Sequence, residues 1–156
     1  MKNFLLSISL LFCTLQCMAQ KHFYPSEDGG RNDYATAITF RGSTISGICI
    51  VRRSGNEVIG SIVNEFGVKM LDFVYDIGRS KVQCRNIMGM MDKWYIRKTL
   101  KADLKFLLSN TGSETPVETS ERTMSITGEI WSLVNTDPGI SYIFSPIIVD
   151  RYETAQ

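Results

Sequence analysis

At 156 residues, 44% hydrophobic and 21% charged, the chain has the composition of one globular domain, which excludes a disordered or fibrous segment. Its 17 Lys and Arg against 16 Asp and Glu give a formal net charge of +1. That balance excludes an ordinary nucleic-acid binder, which needs surplus cations to neutralise phosphates, and argues against a strongly basic membrane-surface patch.

Residues 1–19 have the regions of a secretory signal peptide. Lys2 is the positive charge, Phe4 to Leu15 is apolar, and Cys17-Met18-Ala19 places small residues where a signal peptidase reads. Cleavage is expected between Ala19 and Gln20, exporting the protein to the periplasm of a two-membrane bacterium. An apolar run of about twelve residues falls short of the roughly twenty a spanning helix needs, so no transmembrane segment is expected. The rival reading attaches a lipid to Cys17, although Gln16 puts a bulky amide where a small residue is expected. Without the leader, Cys49 and Cys84 remain, both in predicted strands. A disulfide, which requires a Cα separation of about 5.5 Å, and two small buried thiols stay open as alternatives.

Residues 20–33 mix Pro25, Gly29, Gly30 and several charges without periodicity and read as a flexible leader, with the single domain over 34–156. Short β-branched and aromatic runs then predict an antiparallel meander: Tyr34 to Arg41, Thr44 to Arg53, Glu57 to Glu65, Val68 to Asp76 and Ser80 to Asn86. In the fourth run Leu71, Phe73 and Tyr75 alternate with Asp72 and Asp76, which makes one face of the sheet apolar.

From Lys93 to Leu108 the period changes. Ile96, Leu100, Leu104, Leu107 and Leu108 recur at helical spacing among Arg97, Lys98, Lys101 and Lys105, with Asp92 as expected N-cap. A helix with that leucine face cannot hold in water alone, so it is expected to lie across the apolar face of the meander. Asn110 to Glu121 reads as a loop. Arg122 to Asn135 and Ile140 to Asp150 return to strand composition around the turn Thr136 to Gly139, with Pro146 expected to make the last run an edge strand or a bulge. The fold class is therefore α+β: an antiparallel sheet covered by one amphipathic helix.

Residues that carry catalysis are not found together. His22 falls in the leader, without the rigid neighbours that a triad or zinc site requires. Cys49 lies among Ile48, Ile50 and Val51, where apolar surroundings raise a thiol pKa and make a small core residue the simpler reading. Asp72, Asp76, Glu65 and Glu57 read as the wet face of a sheet rather than a glycosidase pair. Gly29-Gly30 is not at a strand-to-helix turn, so nucleotide chemistry has no motif. No catalytic residue, metal ligand or cofactor is assigned, and a non-enzymatic protein is expected. Ile87, Met88, Met90 and Met91, just before Trp94 and Tyr95, form a cluster of adaptable apolar side chains suited either to filling a core or to lining a pocket for an acyl chain.

The run Ile45-Ser46-Gly47-Ile48-Cys49-Ile50-Val51-Arg52-Arg53, then Asn64-Glu65-Phe66-Gly67, then Leu71-Asp72-Phe73-Val74-Tyr75-Asp76 resembles the small envelope proteins related to lipoprotein carriers and receptors, the LolA/LolB-like group. The resemblance covers roughly residues 36–108 and rests on packing patterns. It implies a strongly curved sheet, a half-open barrel capped by helix, whose concavity shelters lipid. The chain departs from the carriers in being shorter and in having no long helix ahead of the first strand. The expected function is a non-enzymatic lipid or acyl-chain (or lipoprotein) binding protein of the cell envelope. Its apolar cavity is expected among Ile62, Leu71, Phe73, Tyr75, Met88, Met91, Leu100 and Leu104. The alternative is a solid-cored module that docks on another envelope protein.

Overall fold

A computed structural model describes residues 21–112 and 114–148. The expected signal peptide, the cysteine at 17 and the last residues of the final predicted strand lie outside them.

Alternating polar and apolar residues produce nine strands: β1 (Arg31–Phe40), β2 (Ser43–Ser54), β3 (Glu57–Asn64), β4 (Lys69–Asp76), β5 (Lys81–Arg85), β6 (Val117–Glu118), β7 (Arg122–Thr127), β8 (Ile130–Asn135) and β9 (Ile140–Pro146). Between β5 and β6 runs helix α1 (Trp94–Ser109). All strands join one antiparallel sheet in the order β5-β4-β3-β2-β1-β9-β8-β7-β6. The sheet is curved and is not closed into a barrel, and α1 packs against it, as the α+β reading expects.

The inner face is read off the alternation. Tyr34 and Ile38 of β1, Cys49 and Val51 of β2, Val58 and Ile62 of β3, Phe73 and Tyr75 of β4 are all buried, following the period of two that directs alternate side chains to one face. A register shift between Ile62 and Val63 inserts an extra residue opposite β3, and it turns both Met70 and Leu71 inward. Close packing fixes one strand glycine: a Cβ on Gly60 would stand 1.9 Å from the Phe73 ring, so the ring lies flat over the bare backbone.

Helix α1 crosses this face with Leu100, Leu104, Leu107 and Leu108 buried. Each contributes roughly 1.5–3 kcal/mol on leaving water, which holds a helix with few other supports. Its N-cap is Lys93, with no capping side chain. Asp92, the expected cap, instead pairs with Arg97.

Three further expectations are corrected. Of the expected leader 20–33, the described residues 21–33 are built into the domain: Arg31 already belongs to β1, Phe23 is 0% exposed, and Gly29 and Gly30 bond with the Arg53 backbone. An apolar side chain in a polar stretch found a core position no local pattern announces. The run Arg122 to Asn135 is two strands joined by a hairpin, and β9 is interior, between β1 and β8. Pro146 is the last residue of its strand, where a missing N–H costs no ladder bond in the middle of the sheet.

Cys49 is buried and Cys84 half-buried, and both are free thiols. They lie on β2 and β5, separated by β3 and β4. Three strand spacings, roughly 14 Å along the sheet, are far beyond disulfide reach. Among the described residues no helix is long and apolar enough to cross a membrane.

Candidate functional site

The concave side of the sheet is where the sequence placed its cavity. Ile62, Leu71, Phe73 and Tyr75 from the sheet meet Leu100 and Leu104 from α1 in one buried cluster, and Met91 packs against its margin. Met88 is half-buried, its N–H donating to the Met70 carbonyl at 2.8 Å. The fold therefore places seven of the eight residues in or against one core, where the side chains pack on one another, and leaves Met88 outside it.

Two side chains outside the eight candidates organise this interior. The first is Phe23. Its ring stacks on Tyr34 at 4.4 Å between centroids and meets the edges of Phe144 at 4.8 Å and Trp131 at 5.5 Å, geometries favoured by the ring quadrupoles. Its carbonyl accepts hydrogen bonds from the Tyr34 hydroxyl at 2.7 Å and the Asn32 amide at 3.2 Å. Just before it, Lys21 bridges Gly112 through two backbone hydrogen bonds, 2.7 and 3.3 Å long. A Cβ on Gly112 would come within 2.0 Å of Ile126 and 2.7 Å of Trp131, so these two side chains lie close against its bare backbone. The N-terminal segment is thus a plug in one end of the concavity.

The second is Asp103, 0% exposed on the leucine face of α1. Its Oδ1 accepts from Arg122 Nε at 2.8 Å and Asn135 Nδ2 at 2.7 Å, and its Oδ2 accepts from the Tyr142 hydroxyl at 2.7 Å. A buried carboxylate is costly unless paired and bonded. Here three consecutive strands, β7, β8 and β9, supply its partners. Burial, then the Asp103 charge, pushes the Tyr142 phenol well above its ordinary range, so Tyr142 remains a donor at neutral pH.

The sequence carried a signal for Asp103, because it is the one acidic residue from Lys93 to Ser109 and lies among the leucines at helical spacing. Phe23 carried none.

Clefts open at the surface of the described residues, two of them near the N-terminal segment and α1. The larger, about 690 Å³, lies along the N-terminal segment and is lined by His22, Tyr24, Arg31, Asp33 and Trp131 among others. His22 is exposed and stacks on Tyr24 at 5.0 Å, while Arg31 is paired with Asp33 at 2.7 Å. The smaller, about 410 Å³, separates the C-terminal half of α1 from residues 119–122. Neither is lined by any of the eight cavity candidates.

The chemistry these groups offer is limited. Burial, then the Asp33 charge, pushes the Cys49 thiol far up, leaving it protonated and unreactive. Burial raises Cys84 against the opposing pull of Lys101 and Arg97. Asp72 accepts from Ser61 at 2.6 Å, Asn86 at 2.7 Å and Lys69 at 3.1 Å, a clamp joining β3, β4 and the turn after β5. Among the described residues no three His, Cys, Asp or Glu side chains gather as a metal site.

Comparison with family models, with curated proteins and with solved structures returns no match. The functional reading rests on the geometry.

Proposed function

We propose that the chain is a non-enzymatic lipid or acyl-chain binding protein of the bacterial envelope, its ligand taken up between the concave sheet and α1. One observation carries the reading: a nine-stranded sheet that stays open, with its apolar face covered by a single helix and a short N-terminal plug. Strand pairing closes a barrel permanently, whereas a helix held by leucines and one carboxylate cluster can be displaced as a unit. Displacement exposes an apolar interior lined by Ile62, Leu71, Phe73, Tyr75, Leu100 and Leu104, the surface chemistry an acyl chain requires. The exposed tip Phe66, between β3 and β4, adds an apolar contact for a membrane or lipid-bearing partner.

The alternative, a solid-cored module docking on another envelope protein, draws on the packing of those same side chains and on the exposed Ile48, Ile59 and Ile143.

Native mass spectrometry of the protein released gently from its own envelope separates the two. Acyl-chain binding predicts a stoichiometric lipid adduct and, for the delipidated protein, saturable uptake of a pyrene-labelled fatty acid. A bare protein that takes up no probe overturns it and favours the docking module.

A further inference from the structure

Near-neutral net charge hides a segregation that the fold makes visible. From Lys93 to Ser109 the basic side chains are Lys93, Arg97, Lys98, Lys101 and Lys105, and all five residues are exposed. The one acidic residue of this span, Asp103, is turned inward and consumed by its three donors. Trp94, Lys98, Lys101 and Lys105 are spaced four, three and four residues apart, which makes them a single exposed stripe along the flank of α1, beside the buried leucines.

The stripe begins in exposed apolar and amphipathic side chains. Trp94 is 78% exposed, Met90 75% and Tyr95 50%, and the two aromatic rings meet edge-on at 6.0 Å. Nearby anions do not cancel the charge: Asp92 is paired with Arg97 alone, and Glu121, across the smaller cleft from Lys105, is paired with Arg122.

We propose that this face of α1 docks on a bilayer surface bearing anionic headgroups. Phosphates at the headgroup plane complement the lysine stripe, while Trp94, Tyr95 and Met90 enter the interfacial layer that favours amphipathic rings. An acidic protein would satisfy the lysines but would leave the exposed Trp94, Met90 and Tyr95 without a match. Docking needs no movement of α1, because the leucine face stays on the sheet. The proposal is therefore independent of whether the concavity holds an acyl chain.

The test is co-sedimentation of the full chain with phosphatidylglycerol-containing vesicles and with pure phosphatidylcholine vesicles. Expected are tighter binding to the anionic vesicles, weakening as salt rises, and quenching of Trp94 by brominated lipid. Trp131, 3% exposed, serves as the unquenched internal reference. The triple variant Lys98→Gln, Lys101→Gln, Lys105→Gln should lose about two orders of magnitude in affinity for the anionic vesicles. Equal binding to both vesicle types, or a triple variant that binds as the parent does, overturns the proposal. If that variant fails to fold, quenching in the parent decides: unquenched Trp94 on phosphatidylglycerol vesicles also overturns it. Vesicle binding without uptake of a fatty-acid probe supports this surface and counts against the acyl-chain reading alone.

Discussion

The Tyr142 hydroxyl, on β9, donates to Asp103 Oδ2 across 2.7 Å from the buried face of α1. With Arg122 and Asn135 on the other oxygen, this bond decides where along the sheet the helix sits, because apolar leucines alone slide with little penalty. Tyr142→Phe leaves the carboxylate two donors and should cost about 1–3 kcal/mol. Asp103→Asn turns an acceptor into a donor facing other donors and should cost about 3–5 kcal/mol. Urea unfolding of both variants checks the order; equal, small losses would refute the anchor.

Replacement of Phe23 tests whether the N-terminal segment is part of the core. Phe23→Ala removes a fully buried ring wedged among Tyr34, Trp131 and Phe144 and should destabilise by about 3–5 kcal/mol. A true leader would tolerate the change within about 0.5 kcal/mol.

Alkaline stability should report on Tyr34. Burial pushes its phenol up to about 12, against a lowering hydrogen bond from Asn32, whereas the unfolded group ionises near 10. The folded pKa is the higher one, so its contribution is fully present below pH 10 and is lost as pH rises from about 10 through about 12. Denaturation midpoints should fall across that window, and Tyr34→Phe should flatten the fall. An unchanged slope would assign the effect elsewhere.

Acid stability should report on Asp72. Burial acts to raise its carboxyl, but hydrogen bonds from Asn86, Ser61 and Lys69 and the Lys69 charge outweigh it and hold the group below its usual value. The folded pKa is the lower one, so the contribution is present above the unfolded value near 3.9 and is lost as pH falls through the folded value. Asp72→Asn should reduce the loss of stability on acidification below about pH 4. Identical acid limbs for parent and variant would dismiss the clamp.

Legibility in the sequence followed the range of the interactions. Leu71, Phe73 and Tyr75 announced a one-sided strand because their alternation is local, and Leu100, Leu104 and Leu107 announced a helix face for the same reason. Both signals survive intact in the fold, and Ile62, Leu71, Phe73, Tyr75, Leu100 and Leu104 share its buried core. The break between the runs Thr44 to Arg53 and Glu57 to Glu65 was legible because a turn is decided by its own residues.

What the tertiary structure alone decided are pairings between residues far apart in the chain. Nothing near Ile140–Pro146 indicates that this strand inserts between β1 and β8, since ladder bonds are sequence-blind and register is chosen by the whole buried face. Phe23 looks like any aromatic in a polar stretch until β1, β8 and β9 create its socket. Asp103 is an anomaly on a leucine face until Arg122, Asn135 and Tyr142 arrive from three strands. Composition and periodicity determined which segments are strand or helix and which faces are apolar, because those follow from residues a few positions apart. Only the folded chain decided what those faces cover and which lysines are left pointing outward, because burial is a property of the assembled surface.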